Sequence, residues 1–321
     1  MEEVVVKTVL ITGGLGCLGG RLSQYLTNSG YQVVIGSSRR DAKLPNELAS
    51  CSLTYTDFDD IDALATICHE VDYVVHLATI NAQQSQEKPE LAVKVNGTGT
   101  YNLIQASIKS KVKYFLYIST AHVYGSPLIG EIDESTLPRP LHPYAITHRL
   151  AEDFLLESIG NKNIKGSVVR LSNSIGLPLI KEANCWMLFV NDACKQAVAD
   201  RRIVIHSNPN SERDFISMMA VYNIAEYFVS NHVTADYPVF NVGSGISHTL
   251  LQTAEMIANR CEKLFGFYPN IVYPKGKNKL NTSLKYKVDK LLADECYSSE
   301  KLKSIGFKSQ KELKQMNETD F

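Results

Sequence analysis

Apolar and polar positions follow two different periods in the first half of the chain. Short runs rich in β-branched residues have the length and composition of buried strands. These runs lie at positions 4–11, 32–35, 52–55, 71–77, 113–119 and 165–171. Longer stretches with helical periodicity separate them, at positions 18–29, 89–110 and 143–158. Apolar strands that alternate with helices form parallel sheets covered on both faces, so we predict an α/β protein with a doubly wound parallel sheet.

The alternation weakens in the second half of the chain. Positions 174–190 and 206–213 are rich in Asn, Ser and Pro, and we predict that they are loops. A strand near 236–243 is predicted to return to the main sheet. We therefore expect a larger domain at 1–172 and, mainly from 173–321, a smaller lobe. A ligand is expected between the two, at the carboxyl edge of the sheet.

The composition of the chain excludes some classes of protein and leaves the predicted fold unchanged. The chain has 321 residues, of which 44% are hydrophobic and 21% charged, which is enough for a sizeable core. A formal net charge of −1 gives no support to a nucleic-acid or membrane-surface partner. The start of the sequence has acidic Glu2 and Glu3 and lacks the pattern of a secretory signal, so we expect a cytoplasmic protein. Seven cysteines without Cys-x-x-Cys spacing predict neither a disulfide framework nor a bound metal.

A glycine-rich turn lies between the first predicted strand and the first predicted helix. Gly14, Gly16 and Gly19 form the pattern Gly-x-Gly-x-x-Gly, which lets the backbone approach a pyrophosphate at a helix N-terminus. The pattern predicts a Rossmann fold in which domain 1–172 binds a dinucleotide and lobe 173–321 binds the substrate. The predicted contacts in this turn are Gly13, Gly14, Leu15, Gly16, Cys17, Leu18 and Gly19.

The end of the second predicted strand bears on the choice of cofactor. Enzymes that prefer NAD usually have an acidic residue there, which binds the ribose 2′-hydroxyl. This sequence has Ser37, Ser38 and Arg39 followed by Arg40, and no acid. Hydroxyl and guanidinium groups suit a 2′-phosphate, so we predict NADP, with NAD as the alternative and a solvated basic turn as the interpretation without function.

Further motifs follow in a fixed order along the chain. They are Asp57-Phe58, Val75-His76-Leu77-Ala78, Asn96, Ser119-Thr120-Ala121-His122, Tyr144 with His148, Arg170-Leu171-Ser172-Asn173, Arg213-Asp214-Phe215 and Asn241-Val242-Gly243. In this order and spacing the sequence resembles the extended short-chain dehydrogenase/reductase family, in its nucleotide-sugar-modifying branch. The resemblance implies a nucleotide-sugar substrate and a homodimer formed through the helices predicted at 89–110 and 143–158.

The resemblance also implies a role for each matching residue. Thr120, Tyr144 and His148 correspond to the catalytic positions, with Tyr144 as the catalytic tyrosine. The substrate-binding positions are Thr120, His122, Asn173 and Arg213. The further cofactor contacts are Asp57 and Phe58 at the adenine, and Leu77, Ala78, Thr79, Asn96, Ser119, Tyr144 and His148. Taken singly, each has a structural explanation, such as a turn capped by Asn173 or an ion pair between Arg213 and Asp214.

Two departures from the family pattern restrict the chemistry. The family lysine four residues after the tyrosine is His148 here, which shares the helix face of Tyr144 but carries at most a partial charge. A reductase tolerates this best, since its tyrosine acts as an acid. The acidic pair of the dehydratases is replaced by Ala121-His122, so we expect no elimination of water.

Three functions remain open at this point. The first is an NAD(P)H-dependent 4-ketoreductase acting on a nucleotide-linked deoxysugar. An epimerase that retains NAD is the second, and a non-catalytic NADP-binding protein is the third. The missing acid on the second strand and the missing dehydratase pair favour the reductase.

Overall fold

The structure is a computed structural model that describes residues 6–273 and 284–286. Its strands are β1 (Thr8–Thr12), β2 (Gln32–Ser37), β3 (Ser52–Tyr55), β4 (Tyr73–His76), β5 (Tyr114–Thr120), β6 (Gly130–Ile132), β7 (Gly166–Leu171), β8 (Asn173–Ile175), β9 (Arg202–Val204), β10 (Glu212–Ser217), β11 (Val239–Val242), β12 (Ser247–Thr249), β13 (Asn270–Val272) and β14 (Leu284–Tyr286). Its helices are α1 (Cys17–Asn28), α2 (Ile61–His69), α3 (Ala82–Glu87), α4 (Pro89–Ala92), α5 (Thr100–Lys109), α6 (Pro143–Gly160), α7 (Phe189–Asp200), α8 (Met218–Asn231) and α9 (Leu250–Phe265).

The main sheet has seven strands in the order β11-β7-β5-β4-β1-β2-β3. Every neighbouring pair is parallel. All residues of β5 and β7 are buried, as expected of strands covered on both faces. The strand order reverses between β1 and β4, and this reversal opens a crevice beyond their carboxyl ends. The predicted doubly wound parallel sheet is therefore confirmed.

Helices cover both faces of this sheet. On one face Leu22 and Leu26 of α1 are fully buried in the cluster that contains Ile11 of β1. On the other face Leu103 of α5 and Leu155 of α6 are fully buried in a second cluster. Burying a leucine stabilises the fold by roughly 1.5–3 kcal/mol, so these apolar faces decide how the helices dock.

The smaller lobe is built after β7. Strands β12, β10 and β8 form a separate sheet, and β8 begins two residues after β7 ends. Helices α7 and α9 pack together through a cluster that includes Val190, Ala197, Ile257 and Ala258. The chain then returns to the main sheet, where β11 pairs with β7. The lobe consequently extends from the carboxyl edge of the sheet, beside the crevice.

Three local expectations differ from the structure. The helix expected at 89–110 contains a π-helical stretch, Val93–Gly99, between α4 and α5. The loop expected at 174–190 overlaps β8, and the loop expected at 206–213 overlaps β10, because β10 pairs with β8 through residues 215–217 and with β12 through residues 212–214. This pairing joins segments far apart in the sequence, so no local pattern announces it. The predicted lobe beyond residue 273 lies outside the described residues, apart from β14.

Candidate functional site

The glycine turn leads directly from β1 into α1. A Cβ atom at position 19 would lie 2.3 Å from the carbonyl oxygen of Gly13, so only glycine fits there. Gly13 itself has a φ of +69°, a conformation that glycine adopts without strain. The N-cap of α1 is Gly16, whose lack of a side chain leaves the first backbone N–H groups uncapped. The turn therefore presents free donors and a positive helix end to the crevice.

A cleft of about 330 Å³ occupies this crevice. Its wall on the sheet side is formed by the glycine turn and the ends of β4, β5 and β7, and α6 and the loop before α7 close it from other sides. It brings together most of the site residues expected from the sequence. Those that line it are Gly13, Gly16, Cys17, Leu18, Gly19, Leu77, Thr79, Ser119, Thr120, His122, Tyr144, His148 and Asn173.

The end of β2 lies outside this enclosed space. Ser37 is buried, and its Oγ accepts a hydrogen bond of 3.2 Å from the backbone N–H of Arg39. Ser38 and Arg39 are exposed. Arg40, which was not among the expected site residues, lies 4.0 Å from the ring centroid of Tyr55. The side chain of Arg39 thus remains the guanidinium that is free to meet a ligand at this strand end.

The expected adenine contacts lie next to the same strand end. Tyr55 donates a hydrogen bond of 3.4 Å to Asp57, and Arg40 is 3.9 Å from the same carboxylate. The backbone oxygen of Phe58 accepts a bond of 2.8 Å from Asn102. Asp57 thus lies beside Tyr55 and Arg40 near the end of β2, and the adenine contacts expected of Asp57 and Phe58 stay predictions.

Asn96 has a different position from the one expected. It is fully buried, with 0% of its surface exposed, and it does not line the cleft. Its Oδ1 accepts a bond of 2.9 Å from the N–H of Ile80, and its Nδ2 donates to Thr147 at 3.0 Å. Both ends of its amide tie the loop after β4 to α6, and the cofactor contact expected of Asn96 stays a prediction.

Tyr144 and His148 lie on consecutive turns at the start of α6. Pro143 is the first residue of the helix, and His142 caps it by accepting a bond from the N–H of Tyr144. The ring centroids of Tyr144 and His148 are 4.1 Å apart. Nδ1 of His148 lies 2.8 Å from the carbonyl oxygen of Tyr144. Because a carbonyl only accepts, this nitrogen carries the proton.

Burial governs the charges of these groups. It raises the pKa of Tyr144 to about 12, although a hydrogen bond with the Thr120 side chain lowers it. It lowers the pKa of His148 to about 4, against the opposing effects of the Tyr144 carbonyl and Glu152. At neutral pH His148 is therefore uncharged. The sequence allowed His148 at most a partial charge, and burial disfavours even that.

A buried ion pair lies next to Ser119, which lines the cleft. Glu152, two turns after Tyr144, accepts bonds from Arg170 at 2.6 Å and from Ser119 at 2.6 Å. The side chains of Glu152 and Arg170 are both 0% exposed. Arg170 also donates to Tyr124 at 2.9 Å. Sequence reasoning missed this pair, and its only signal was a glutamate on the helix face of Tyr144.

The remaining substrate positions lie where the small lobe meets the cleft. Asn173 donates a bond of 2.9 Å to the backbone oxygen of Asp214. The Asp214 carboxylate accepts bonds from Ser172 and Ser244, and among the described residues Arg213 forms no ion pair with it. Arg213 instead lines a small pocket that Asn173 also borders. An ion pair between Arg213 and Asp214 is thereby excluded as the explanation of Arg213.

The N-terminus of α7 borders the same small pocket. Leu188, its N-cap, gives no side-chain hydrogen bond, so the first N–H groups of this helix are uncapped. Leu188 also lines the main cleft. A guanidinium and a positive helix end thus border the small pocket that shares Asn173 and Leu188 with the cleft.

Among the described residues, no helix has both the length and the apolar character needed to cross a membrane. No group of histidine, cysteine and acidic residues in that part of the chain has the arrangement of metal ligands.

Comparisons with known proteins agree with this geometry. The UDP-glucose 4-epimerase of Halalkalibacterium halodurans is 25% identical over 266 residues, which cover 77% of this chain and 78% of the relative. The UDP-glucose 4-epimerase 4 of Oryza sativa is 27% identical over 294 residues, 81% of this chain and 77% of the relative. The family model described as the NAD dependent epimerase/dehydratase family matches residues 9–243.

Solved structures show the same fold. MoeE5, in complex with UDP-glucose and NAD, has a TM-score of 0.74 at 22% identity, covering 98% of this chain and 97% of that one. A UDP-glucose 4-epimerase from Thermus thermophilus, in complex with NAD, has a TM-score of 0.74 at 21% identity, with 94% of each chain covered. The fold and the cleft define a Rossmann-fold enzyme that uses a nicotinamide dinucleotide. The chain belongs to the NAD dependent epimerase/dehydratase family.

Proposed function

We propose that this enzyme reduces the keto group of a nucleotide-linked deoxysugar with NADPH, as a 4-ketoreductase. One observation carries the proposal: Tyr144 packs against His148, an imidazole where the family has a lysine, with ring centroids 4.1 Å apart. The pKa of Tyr144 is raised by burial to about 12, and that of His148 is lowered by burial to about 4. A tyrosine in this state is a proton donor, and a reduction begins with the donor form.

The same pKa values disfavour the opposite reaction, which is oxidation of the sugar. An oxidation of the sugar needs Tyr144 as a base, in its phenolate form. Burial raises the pKa of Tyr144 to about 12, so the phenolate is the minor form at pH 7. A lysine ammonium in place of His148 would raise that fraction, and a neutral imidazole does not.

The glycine turn fits a dinucleotide cofactor. A Cβ atom at Gly19 or Gly13 would clash with neighbouring backbone, and the missing side chains leave the backbone donors of the turn accessible to a pyrophosphate. When bound, the reduced nicotinamide supplies the hydride. Ser37 and Ser38 offer hydroxyls, and the exposed Arg39 a guanidinium, to a 2′-phosphate. These groups support NADPH over NADH, although the family takes its description from NAD.

The lobe end of the cleft suits the diphosphate of a sugar nucleotide. Arg213 supplies a partly buried guanidinium without a carboxylate partner in the described part of the chain, and α7 supplies uncapped N–H groups. Asn173 lies between this end and the catalytic positions. The sugar carbonyl would then lie at Thr120 and Tyr144, where it accepts a hydrogen bond from Thr120 and the proton of Tyr144 as its carbon is reduced.

A second candidate function is a nucleotide-sugar 4-epimerase that retains NAD. The names of the relatives favour it, since both of those described above are UDP-glucose 4-epimerases. Such an enzyme oxidises and re-reduces one carbon, and it would purify with tightly bound NAD. The state of Tyr144 favours the reductase over this candidate.

The same proposal includes a homodimer in the cytoplasm. Helix α6 and the segment from α4 to α5 pack side by side, and they leave exposed apolar side chains on their outer face. Val93 and Ile146 are each 47% exposed, and Tyr101 is 38% exposed. An apolar face of two helices suits a symmetric partner with the same face.

The test is the oxidation of NADPH with UDP-4-keto-6-deoxyglucose as the probe. Tyr144→Phe keeps the ring and removes the acid, so turnover should fall by about 10²–10⁴-fold while NADPH binding persists. Tyr268→Phe, at a side chain that is 48% exposed, is the matched control and should keep full activity. Full activity of Tyr144→Phe would show that the assigned site is wrong. No turnover even by His148→Lys would instead favour a non-catalytic NADP-binding protein.

A further inference from the structure

We propose that Cys17 and Cys185 form a modification site, a dithiol that hydrogen peroxide closes into a disulfide which slows cofactor exchange. The two cysteines belong to different walls of the cleft. Cys17 is the first residue of α1, in the glycine turn, and Cys185 lies in the loop before α7. The inference goes beyond the proposed function. It concerns the dinucleotide site alone, so it does not depend on which sugar is reduced.

The segment 177–188 lies along the first half of α1. The backbone oxygen of Leu177 accepts a hydrogen bond of 2.7 Å from the Arg21 side chain. A Cβ atom at Gly20 would lie 3.4 Å from Leu179 and 3.5 Å from Ile180. Ile180 is also buried in the core cluster that α1 shares with β1. This packing holds the segment against the helix that begins at the glycine turn.

The contact between the two thiols follows from this packing. The side chain of Cys17 lies within hydrogen-bonding reach of the Cys185 thiol. Every cysteine in the described part of the chain is free, these two included. Cys17 is partly exposed and lines the cleft, whereas Cys185 is 1% exposed. An oxidant that enters the cleft therefore meets Cys17 first, and Cys185 is the partner behind it.

The same segment also forms part of the cleft. Met187 and Leu188 line it, and the N–H of Leu188 donates a bond of 3.1 Å to the carbonyl oxygen of Cys185. A covalent bond from Cys185 to Cys17 would hold this wall against the glycine turn. Any opening that moves the two walls apart would be restrained, so the cofactor would enter and leave more slowly.

Burial keeps the dithiol reduced in the absence of a persistent oxidant. Burial, with a smaller contribution from Cys185, raises the pKa of Cys17 to about 12, although Arg21 lowers it. The thiolate is the form that attacks an oxidant, and it is the minor form here. Reaction with peroxide is therefore slow, and the site responds to prolonged oxidation.

The reaction balances with one hydrogen peroxide for each dithiol. The Cys17 sulfur attacks one peroxide oxygen, the O–O bond breaks, and the departing hydroxide leaves as water with the thiol proton. The product on Cys17 is a sulfenic acid. The Cys185 sulfur then attacks the Cys17 sulfur, the S–S bond forms, and the S–O bond breaks with release of a second water. Both sulfurs are oxidised and the peroxide is reduced.

Peptide mapping and cofactor release test this site together. The protein is incubated with hydrogen peroxide, catalase removes the excess, and one half is then reduced with dithiothreitol. Mass spectrometry of a digest made without reductant should find the peptides of Cys17 and Cys185 joined. Release of the reduced cofactor, NADPH or NADH, is followed by its fluorescence during displacement by the oxidised form. It should slow by about tenfold or more in the oxidised protein and recover in the reduced half.

Cysteine variants separate this disulfide from other effects of peroxide. Cys185→Ser and Cys185→Ala remove the second thiol, so neither should form the link or show slowed release. Cys194→Ser, on α7 in the small-lobe cluster, keeps both members of the dithiol and is the matched control. It should behave as the wild type does.

Three results would overturn the inference. They are a wild-type map without the link between Cys17 and Cys185, a link that leaves release unchanged, and slowed release in the Cys185 variants. The wild-type map decides the first point even where a variant folds poorly. Because the measurements use cofactor alone, their failure leaves the proposed ketone reduction intact. Absence of ketone reduction likewise leaves the dithiol site intact.

Discussion

His148 occupies the position of the family lysine, and its burial decides what it can do there. Its Nδ1 is committed to the carbonyl oxygen of Tyr144 at 2.8 Å, so the ring is fixed against the helix. Burial lowers its pKa to about 4, which means that it gains a charge only under acidic conditions. The side chain therefore supports Tyr144 by packing, with ring centroids 4.1 Å apart, and not by charge.

A pH profile tests this state of His148. The group is neutral above a pH of about 4, and Tyr144 holds its proton up to about 12. The rate of ketone reduction should consequently show no step between about pH 6 and 9, where a free histidine would titrate. A decline centred near the pKa of free histidine, ~6.5, would show that His148 is charged in the active enzyme.

His148→Lys is the complementary variant. A lysine ammonium beside Tyr144 stabilises the phenolate, so the pKa of Tyr144 should fall by about one unit or more. Reduction should then decline at a lower pH than in the wild type, because Tyr144 loses its proton earlier. Kinetics over the alkaline range measure this shift. An unchanged profile would mean that the introduced charge does not reach the tyrosine.

Arg39 is the residue at which the choice between NADPH and NADH is tested. Its side chain is exposed and its neighbour Arg40 already covers the ring of Tyr55. Arg39→Ala should weaken NADPH binding by about 1.5–3 kcal/mol, the range of hydrogen bonds to charged groups, and leave NADH binding nearly unchanged. Titration calorimetry with each cofactor measures the difference, and Arg40→Ala is the control. Equal losses for both cofactors would show that Arg39 is not a selector.

At the scale of single elements, the turn between β1 and α1 is the most constrained. A Cβ atom at position 19 would lie 2.3 Å from the carbonyl oxygen of Gly13, so a side chain there must displace the backbone of the turn. Gly19→Ala should therefore widen the turn and weaken dinucleotide binding by about tenfold or more, equivalent to ~1.4 kcal/mol. Gly160→Ala, where no atom lies within 4 Å of the added Cβ, is the control and should bind normally. Normal binding by Gly19→Ala would mean that the turn does not hold the cofactor.

Elements with a local signal were predictable from the sequence. The strands and helices of the sheet follow from periodicity, and the glycine turn follows from its place between β1 and α1. Contacts across long sequence distances were not predictable. Glu152 and Arg170 are 18 positions apart, and the bond between Ser119 and Glu152 spans 33. Only the fold brings these groups together, although each lies on an element that periodicity had already indicated.

The charges of the candidate site residues were less predictable from the sequence than the identities of these residues. Motif order placed Thr120, Tyr144 and His148 beside one another, and the structure joins them in one cleft. Their charges depend on burial, which a motif does not report. Asn96 shows the same limit, since its motif did not report that the side chain is completely buried.

At the scale of the whole molecule, the site is formed where two units of the fold meet. The reversal of strand order places the dinucleotide positions beyond β1 and β4. The small lobe adds Arg213 and the start of α7 from segments that follow β7. The proposed nucleotide sugar would bridge these two ends, with its reacting carbon between Tyr144 and His122. Neither unit alone holds all of these groups.

The outer face of α5 and α6 is the proposed dimer interface. Tyr101 packs on Phe154 with ring centroids 4.9 Å apart, and Ile146 extends the apolar surface with 47% of its area exposed. A homodimer through this face should have twice the chain mass of 35.7 kDa in light scattering. Ile146→Glu places a charge in that interface and should shift the mass toward a single chain, because an unpaired buried charge is costly.

Leu264→Glu is the control for this face. Leu264 is 53% exposed, and it lies on α9 in the small lobe, away from α5 and α6. The variant should remain a dimer if the surface of α5 and α6 forms the interface. A wild-type protein with the mass of one chain would contradict the dimer itself. A dimer that survives Ile146→Glu and dissociates with Leu264→Glu would place the interface on the small lobe instead.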